Sequence, residues 1–177
     1  LEVARQIAYQ LLTAVAYLHD DLGIVHRDIK PENIIYNTVT GSLQLIDLGY
    51  ARSFITRVNL RSRVGTSYHI KRLLKLRSKV GTPFYIPPEM LLGQPYTCTV
   101  DEWSTGVTLF MVLYGFPPFS GETDIRKGVP WPVECKRSTE AYDCIHNQLL
   151  CKAAKRATAA QVLQSAWLRP CRDTAQT

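Results

Sequence analysis

The 177-residue chain lacks any apolar run long enough to cross a bilayer. Its longest such stretch, Gly106 to Phe119, is interrupted by Thr108 and Gly115 and broken by Pro117, well short of the roughly 20 residues a span needs. It has no Cys-x-x-Cys pair, so a zinc site is not expected from its five cysteines, 98, 135, 144, 151 and 171. It has no Asn-x-Ser/Thr sequon and no signal-peptide pattern. With an odd number of cysteines, these gaps predict reduced thiols and an intracellular, cytoplasmic protein. Ten Gly and ten Pro show no collagen-like period. The apolar fraction, 46%, and the charged fraction, 20%, exclude a disordered chain.

Acid is missing from one long stretch. Between Leu48 and Pro88 there are nine basic residues and no Asp or Glu. Of 21 basic residues in all, that leaves 12 elsewhere against 15 acids, so the net charge of +6 belongs to this segment. It carries neither a nucleic-acid recognition motif nor interleaved aromatics, so neither a nucleic-acid nor a membrane partner is expected. A solvated, phosphate-attracting loop fits better.

Residues 1–20 place Ala4, Ile7, Ala8, Leu11, Val15 and Leu18 at helical spacing, and Gly23 follows as a stop. Short apolar runs at Ile24-Val25, Ile34–Tyr36 and Leu43–Ile46 flank a turn-rich stretch and predict a small hairpin. Asp101–Tyr114 is apolar almost all round, the mark of a buried helix. Helices are also predicted over 139–150 and 157–168. The predicted fold class is α+β and mostly helical. A tandem repeat is visible as well: Leu60–Ile70 closely matches Leu76–Ile86 at an offset of 16 residues. Two copies are too few for a solenoid. A local duplication in a loop and a fault in the assembled coding sequence both account for it.

The chemistry concentrates in His26-Arg27-Asp28-Ile29-Lys30-Pro31-Glu32-Asn33, with Asp47-Leu48-Gly49 beginning 14 residues after Asn33. Phosphoryl transfer needs these residue types. A carboxylate must orient the attacking hydroxyl and take its proton, and Asp28 is the candidate. A cation must offset charge developing on the phosphate, and Lys30 is the candidate. Magnesium prefers oxygen ligands, which Asn33 and Asp47 supply. Gly49 lets the chain turn beside Asp47.

This pattern resembles the eukaryotic serine/threonine protein kinase family, with its His-Arg-Asp loop, metal-binding Asn and Asp-Phe-Gly site. Pro87-Pro88-Glu89, Asp101–Gly106, Gly115–Phe119 and Arg156 through Leu168 resemble later family segments. Some motifs look calmodulin-dependent-kinase-like, namely Gly81-Thr82-Pro83 and Pro117-Pro118-Phe119. Others, Tyr96–Asp101 and Ile46–Arg52, look inhibitor-of-kappa-B-kinase-like.

The resemblance implies a carboxy-terminal lobe over 1–171, with its amino-terminal lobe absent and a tail at 172–177. Within it lie a catalytic loop at 24–36 with small β-hairpins, an activation segment at 47–89 holding the repeat, and a helical remainder at 99–170. It implies ATP and Mg²⁺ as cofactors, with Lys30, Asn33 and Asp47 binding them. A protein substrate and an upstream kinase acting on the activation segment would be the partners. Thr82 would face the acceptor residue with Asp28 and Lys30, while Ser62, Thr66 and Ser78 are candidate phosphosites among arginines. His26 would be structural, Arg27 would meet an activation-segment phosphate, and Leu48 would fill a buried slot. Asp101 would hold the catalytic-loop backbone, and Arg156 would pair with buried Glu89. The other histidines, 19, 69 and 146, look incidental. Lacking half of an ATP site, such a chain is expected to be inactive alone; a non-catalytic, partner-binding module is the alternative.

Overall fold

The computed structural model of the chain describes residues 1–54, 83–127 and 138–174. The repeat therefore falls largely outside the described residues, as do Thr82, Ser62, Thr66 and Ser78.

Helix α1 spans Glu2–Ala16 and buries Ala4, Ala8, Leu11, Leu12 and Val15 along one stripe. Full burial of each leucine contributes about 1.5–3 kcal/mol. The helix runs on through a wider, π-type turn at Tyr17–Asp21. Gly23 then takes the left-handed conformation, φ +61°, that only glycine adopts without strain. Two two-stranded antiparallel sheets follow. Strand β1 (Ile24–Val25) pairs with β4 (Arg52–Ser53), and β2 (Ile34–Tyr36) pairs with β3 (Leu43–Leu45). The β2–β3 hairpin is the one the sequence predicted. The Gln10 side chain docks its turn onto α1, donating to Gly41 O and accepting from Leu43 N.

The remaining described elements are helical. They are α2 (Pro88–Leu91), α3 (Thr99–Tyr114), α4 (Glu122–Lys127), α5 (Thr139–Tyr142), α6 (Ala159–Val162) and α7 (Arg169–Thr174). Helix α3 is the organising element. Leu109, Phe110 and Leu113 enter the core cluster shared with α1, α5 and α6. Trp103 and Val107 enter a second cluster with Tyr85, Leu91, Phe119 and Ile125. Val100 enters a third, with Val25, Met90 and Tyr96. Gly115 ends the helix at φ +81°.

Two sequence expectations need correction. The helix predicted over 157–168 is only one short turn, Ala159–Val162, capped by a reciprocal Thr158–Gln161 box. The apolar residues beyond it, Trp167 and Leu168, are buried from irregular turns instead. Helix α7 runs to Thr174, across the expected boundary at 172. The helix over 139–150 divides into α5 and a π-type stretch, Asp143–Leu149.

Gly106 is where α3 meets that stretch most closely. A Cβ there would lie 2.8 Å from Leu149 Cβ and 2.9 Å from Leu150 Cδ2. Leu149 Cβ sits on the backbone and has little room to yield. Gly106→Ala is therefore expected to destabilise the chain by about 1–3 kcal/mol through overpacking. Urea unfolding measures this; an unchanged midpoint would refute the close contact.

Candidate active site

The loop between β1 and β2 holds the charged cluster. Asp28 is buried, and its Oδ2 accepts from Lys30 Nζ at 2.7 Å and from Asn33 Nδ2 at 3.0 Å. Asn33 Nδ2 also donates to the Asp28 carbonyl at 2.7 Å. With both amide hydrogens directed at Asp28, Asn33 has its Oδ1 to offer a cation. The hydrogen bond that Lys30 donates to Asp28 holds its ammonium above its ordinary pKa, and the charges of Asp28, Glu32 and Asp47 add to this against the effect of burial. Among these charges the effect of Asp47 is the smallest. Its segment is joined to the cluster by backbone, since Ile46 N donates to Asn33 O at 2.9 Å.

The backbone around the cluster is unusual. Arg27 and Asp47 adopt positive φ, +68° and +65°. Such strain costs about 1–3 kcal/mol per residue and persists only where neighbours enforce it. For Arg27 the enforcing group is Asp101, fully buried on α3. Its Oδ2 accepts from His26 N at 2.7 Å and its Oδ1 from Arg27 N at 2.8 Å. The Arg27 side chain donates from Nε to Tyr50 O at 2.6 Å, so it is tied to the chain just after Asp47. Asp47 Oδ1 accepts from Gly49 N at 2.9 Å, and a Cβ on residue 49 would collide with that same oxygen. A larger residue at 49 would therefore have to displace the Asp47 carboxylate and weaken that hydrogen bond. His26 is fully buried. Its Nδ1 accepts from Asp28 N at 3.3 Å and its Nε2 faces Ile46 O at 3.2 Å, so the ring braces both halves of the site.

Glu89 and Arg156 meet away from this cluster. Arg156 Nη1 lies 2.6 Å from Glu89 Oε1 and Nη2 lies 3.3 Å from Oε2. The guanidinium also donates to Thr99 O and Cys151 O, and lies over the Trp103 ring at 5.1 Å.

Leu48 does not fill a buried slot: it is 55% exposed. Sequence reasoning also missed His19. Its Nε2 lies 2.8 Å from Asp101 Oδ2 and its Nδ1 lies 3.2 Å from Glu102 Oε1, all three being buried. A signal was present. His19 continues the buried α1 stripe four residues after Val15, and a polar residue on such a stripe asks for a buried partner.

Burial alone would push the His19 pKa down. The hydrogen bonds and charges of Asp101 and Glu102 outweigh it and raise the group from 6.5 to about 10. Because the folded pKa lies above the unfolded one, this stabilisation is complete below about pH 6.5 and is lost as pH rises toward 10. Stability is therefore expected to fall between pH 7 and 8.5, by up to about 1.4 kcal/mol per pH unit for one proton. His19→Gln should flatten that slope. Urea midpoints across this window decide it; equal slopes in both chains would refute the charged ring.

Comparison with known proteins fits this geometry. The protein kinase domain model matches residues 1–168. The chain belongs to the protein kinase domain family. It is 39% identical over 123 residues to calcium-dependent protein kinase 5 of Plasmodium falciparum, covering 68% of this chain and 18% of that protein. It is 34% identical over 178 residues to calcium-dependent protein kinase 4 of Plasmodium berghei, covering 94% of this chain and 30% of that protein. A Dictyostelium discoideum protein named "Probable myosin light chain kinase" is 34% identical over 177 residues, covering 95% of this chain and 33% of that protein. The chain thus spans at most about a third of these relatives. They stand with the calmodulin-dependent-like motifs in the sequence. The kinase fold here is mostly helical with few strands, and no helix among the described residues is long and apolar enough to cross a membrane.

The oxygen set suits the ion this family uses. Asn33 Oδ1 and the exposed Asp47 carboxylate are hard donors. Mg²⁺ binds in this sparse way, through one or two protein oxygens with phosphates and water completing the shell.

Proposed function

We propose that these residues form the carboxy-terminal lobe of a serine/threonine protein kinase, a cytoplasmic enzyme acting on protein substrates. The catalytic loop is 24–36, the activation segment 47–89, and the helical remainder 99–170. The observation that carries the reading is the buried Asp28 carboxylate gripped jointly by Lys30 and Asn33.

Bound Mg²⁺–ATP supplies the γ-phosphoryl group; Asn33 and Asp47 would hold the metal. Asp28 orients the substrate hydroxyl and accepts its proton. Lys30, held by Asp28 and fully charged, offsets negative charge on the phosphoryl oxygens. Asn33 fixes the Asp28 carboxylate and backbone together. Arg27 links the loop to the start of the activation segment through Tyr50. Thr82, outside the described residues, is assigned to the acceptor side with Asp28 and Lys30. An upstream kinase acting at Thr66, Ser62 or Ser78 would place its phosphate among the basic residues of that segment.

The test is phosphotransfer from labelled ATP to protein Ser and Thr by the longest natural form of the protein, with and without Mg²⁺. Mg²⁺-dependent phosphoserine or phosphothreonine is expected. Phosphotyrosine alone would overturn the substrate class. Absence of transfer would leave a partner-binding module.

A further inference from the structure

One set of buried charges is not needed by the chemistry above. Asp101 and Glu102 are adjacent on α3 and both fully buried. Two neighbouring carboxylates without a cation would repel strongly in such a site. The cation that lies between them is His19. Each of its ring nitrogens faces a carboxylate oxygen. A neutral imidazole carries one N–H, so one nitrogen would turn a lone pair toward a carboxylate. Only the doubly protonated ring satisfies both contacts. Among the described residues the other neighbours supply no competing charge. The Phe54 ring meets His19 edge-on at 6.4 Å. The Cys98 thiol is pushed up to about 12 by burial and by the same two carboxylates, and is neutral. Asp20, adjacent in sequence, is exposed.

The bonds continue outward on both sides. Asp101 passes to the amides of His26 and Arg27. His26 passes to Asp28 N and Ile46 O. Glu102 Oε1 accepts from Ala159 N, the first residue of α6, at 3.0 Å. One hydrogen-bonded line thus runs from the closing helices to the catalytic loop, with His19 at its centre.

We propose that His19 is a positioning residue for phosphotransfer: as a cation at neutral pH shared by Asp101 and Glu102 it fixes the carboxylate that shapes the Arg27–Asp28 backbone, and Glu102 couples that fixation to the start of α6. The catalytic consequence rests on the reading of Asp28 as the base. The loop geometry does not.

The first measurement is on the unaltered chain. Nitrogen-15 NMR of the imidazoles at pH 8 should show His19 doubly protonated. A singly protonated ring would overturn the proposal. The second uses His19→Gln and the charge-matched pair His19→Gln with Glu102→Gln. In His19→Gln, amide exchange protection at His26 and Arg27 should fall about tenfold or more beyond any change in α7. The pair should recover most of it, because the unpaired carboxylate is gone. Equal loss everywhere, or a pair at least as damaged as the single variant, would mean a merely structural role and would refute the proposal. If His19→Gln does not fold, the pair is compared with the unaltered chain directly; failure of the pair to fold counts against. In the longest natural form, the single variant should lower kcat at least tenfold with KM for ATP within about twofold. If the unaltered protein transfers no phosphate, the kinase reading fails while ring protonation and amide exchange still decide the role of His19.

Discussion

If Asp28 is the base, as proposed, Asp28→Asn in the longest natural form of the protein is expected to lower kcat for phosphotransfer by about two to four orders of magnitude, the usual worth of a positioned general base. The amide is nearly isosteric, so packing changes little. What changes is charge. Asp28 Oδ2 is the acceptor for Lys30 Nζ and for Asn33 Nδ2; an amide can still accept through one oxygen but can neither take a proton nor balance the lysine. KM for ATP should move far less than kcat, because the nucleotide's assigned contacts are Lys30, Asn33 and Asp47. The decisive measurement is steady-state kinetics of the two proteins side by side. Retention of more than about a tenth of the activity would remove Asp28 from the role of base.

The second large effect is on stability. Arg156 is fully buried at its side chain and spends its guanidinium on Glu89, Thr99 O and Cys151 O. Arg156→Met keeps an unbranched apolar stem and abandons the buried Glu89 carboxylate. The expected cost is about 3–5 kcal/mol, most of it the uncompensated charge. Adding Glu89→Gln should return a substantial part of that loss, since the charge then disappears with its partner. Urea unfolding of both single variants and the pair gives the coupling. Strict additivity would mean that the two groups do not act as a pair.

The parts of this site that are local in the chain were legible in the sequence. Asp28, Lys30 and Asn33 lie within six residues, and one tight loop brings them together. The β2–β3 hairpin was legible because its turn and its apolar runs are contiguous. The Arg156–Glu89 pair lies 67 residues apart, and only family resemblance suggested it. His19 shows the limit most clearly. Its partners are 82 and 83 residues away, and neither periodicity nor composition encodes that distance. Leu48 is exposed although an apolar residue asks for burial, and the positive φ of its neighbour Asp47 is not something an aspartate announces in sequence. The helix over 157–168 failed because its apolar spacing served burial of Trp167 and Leu168 from turns, not a continuous helical face.

Helix α3 presents 12 of its 16 residues to the interior, on every side. A scan of all single substitutions should therefore show no tolerant lane along α3 until its last turn, where Met111 and Val112 come clear of full burial. In α1 the same scan should show intolerance recurring every three to four positions, in step with Ala4, Ala8, Leu11 and Val15. The difference between a flat profile and a rhythmic one separates a helix enclosed by the fold from a helix laid upon it, and it can be read from variant abundance alone.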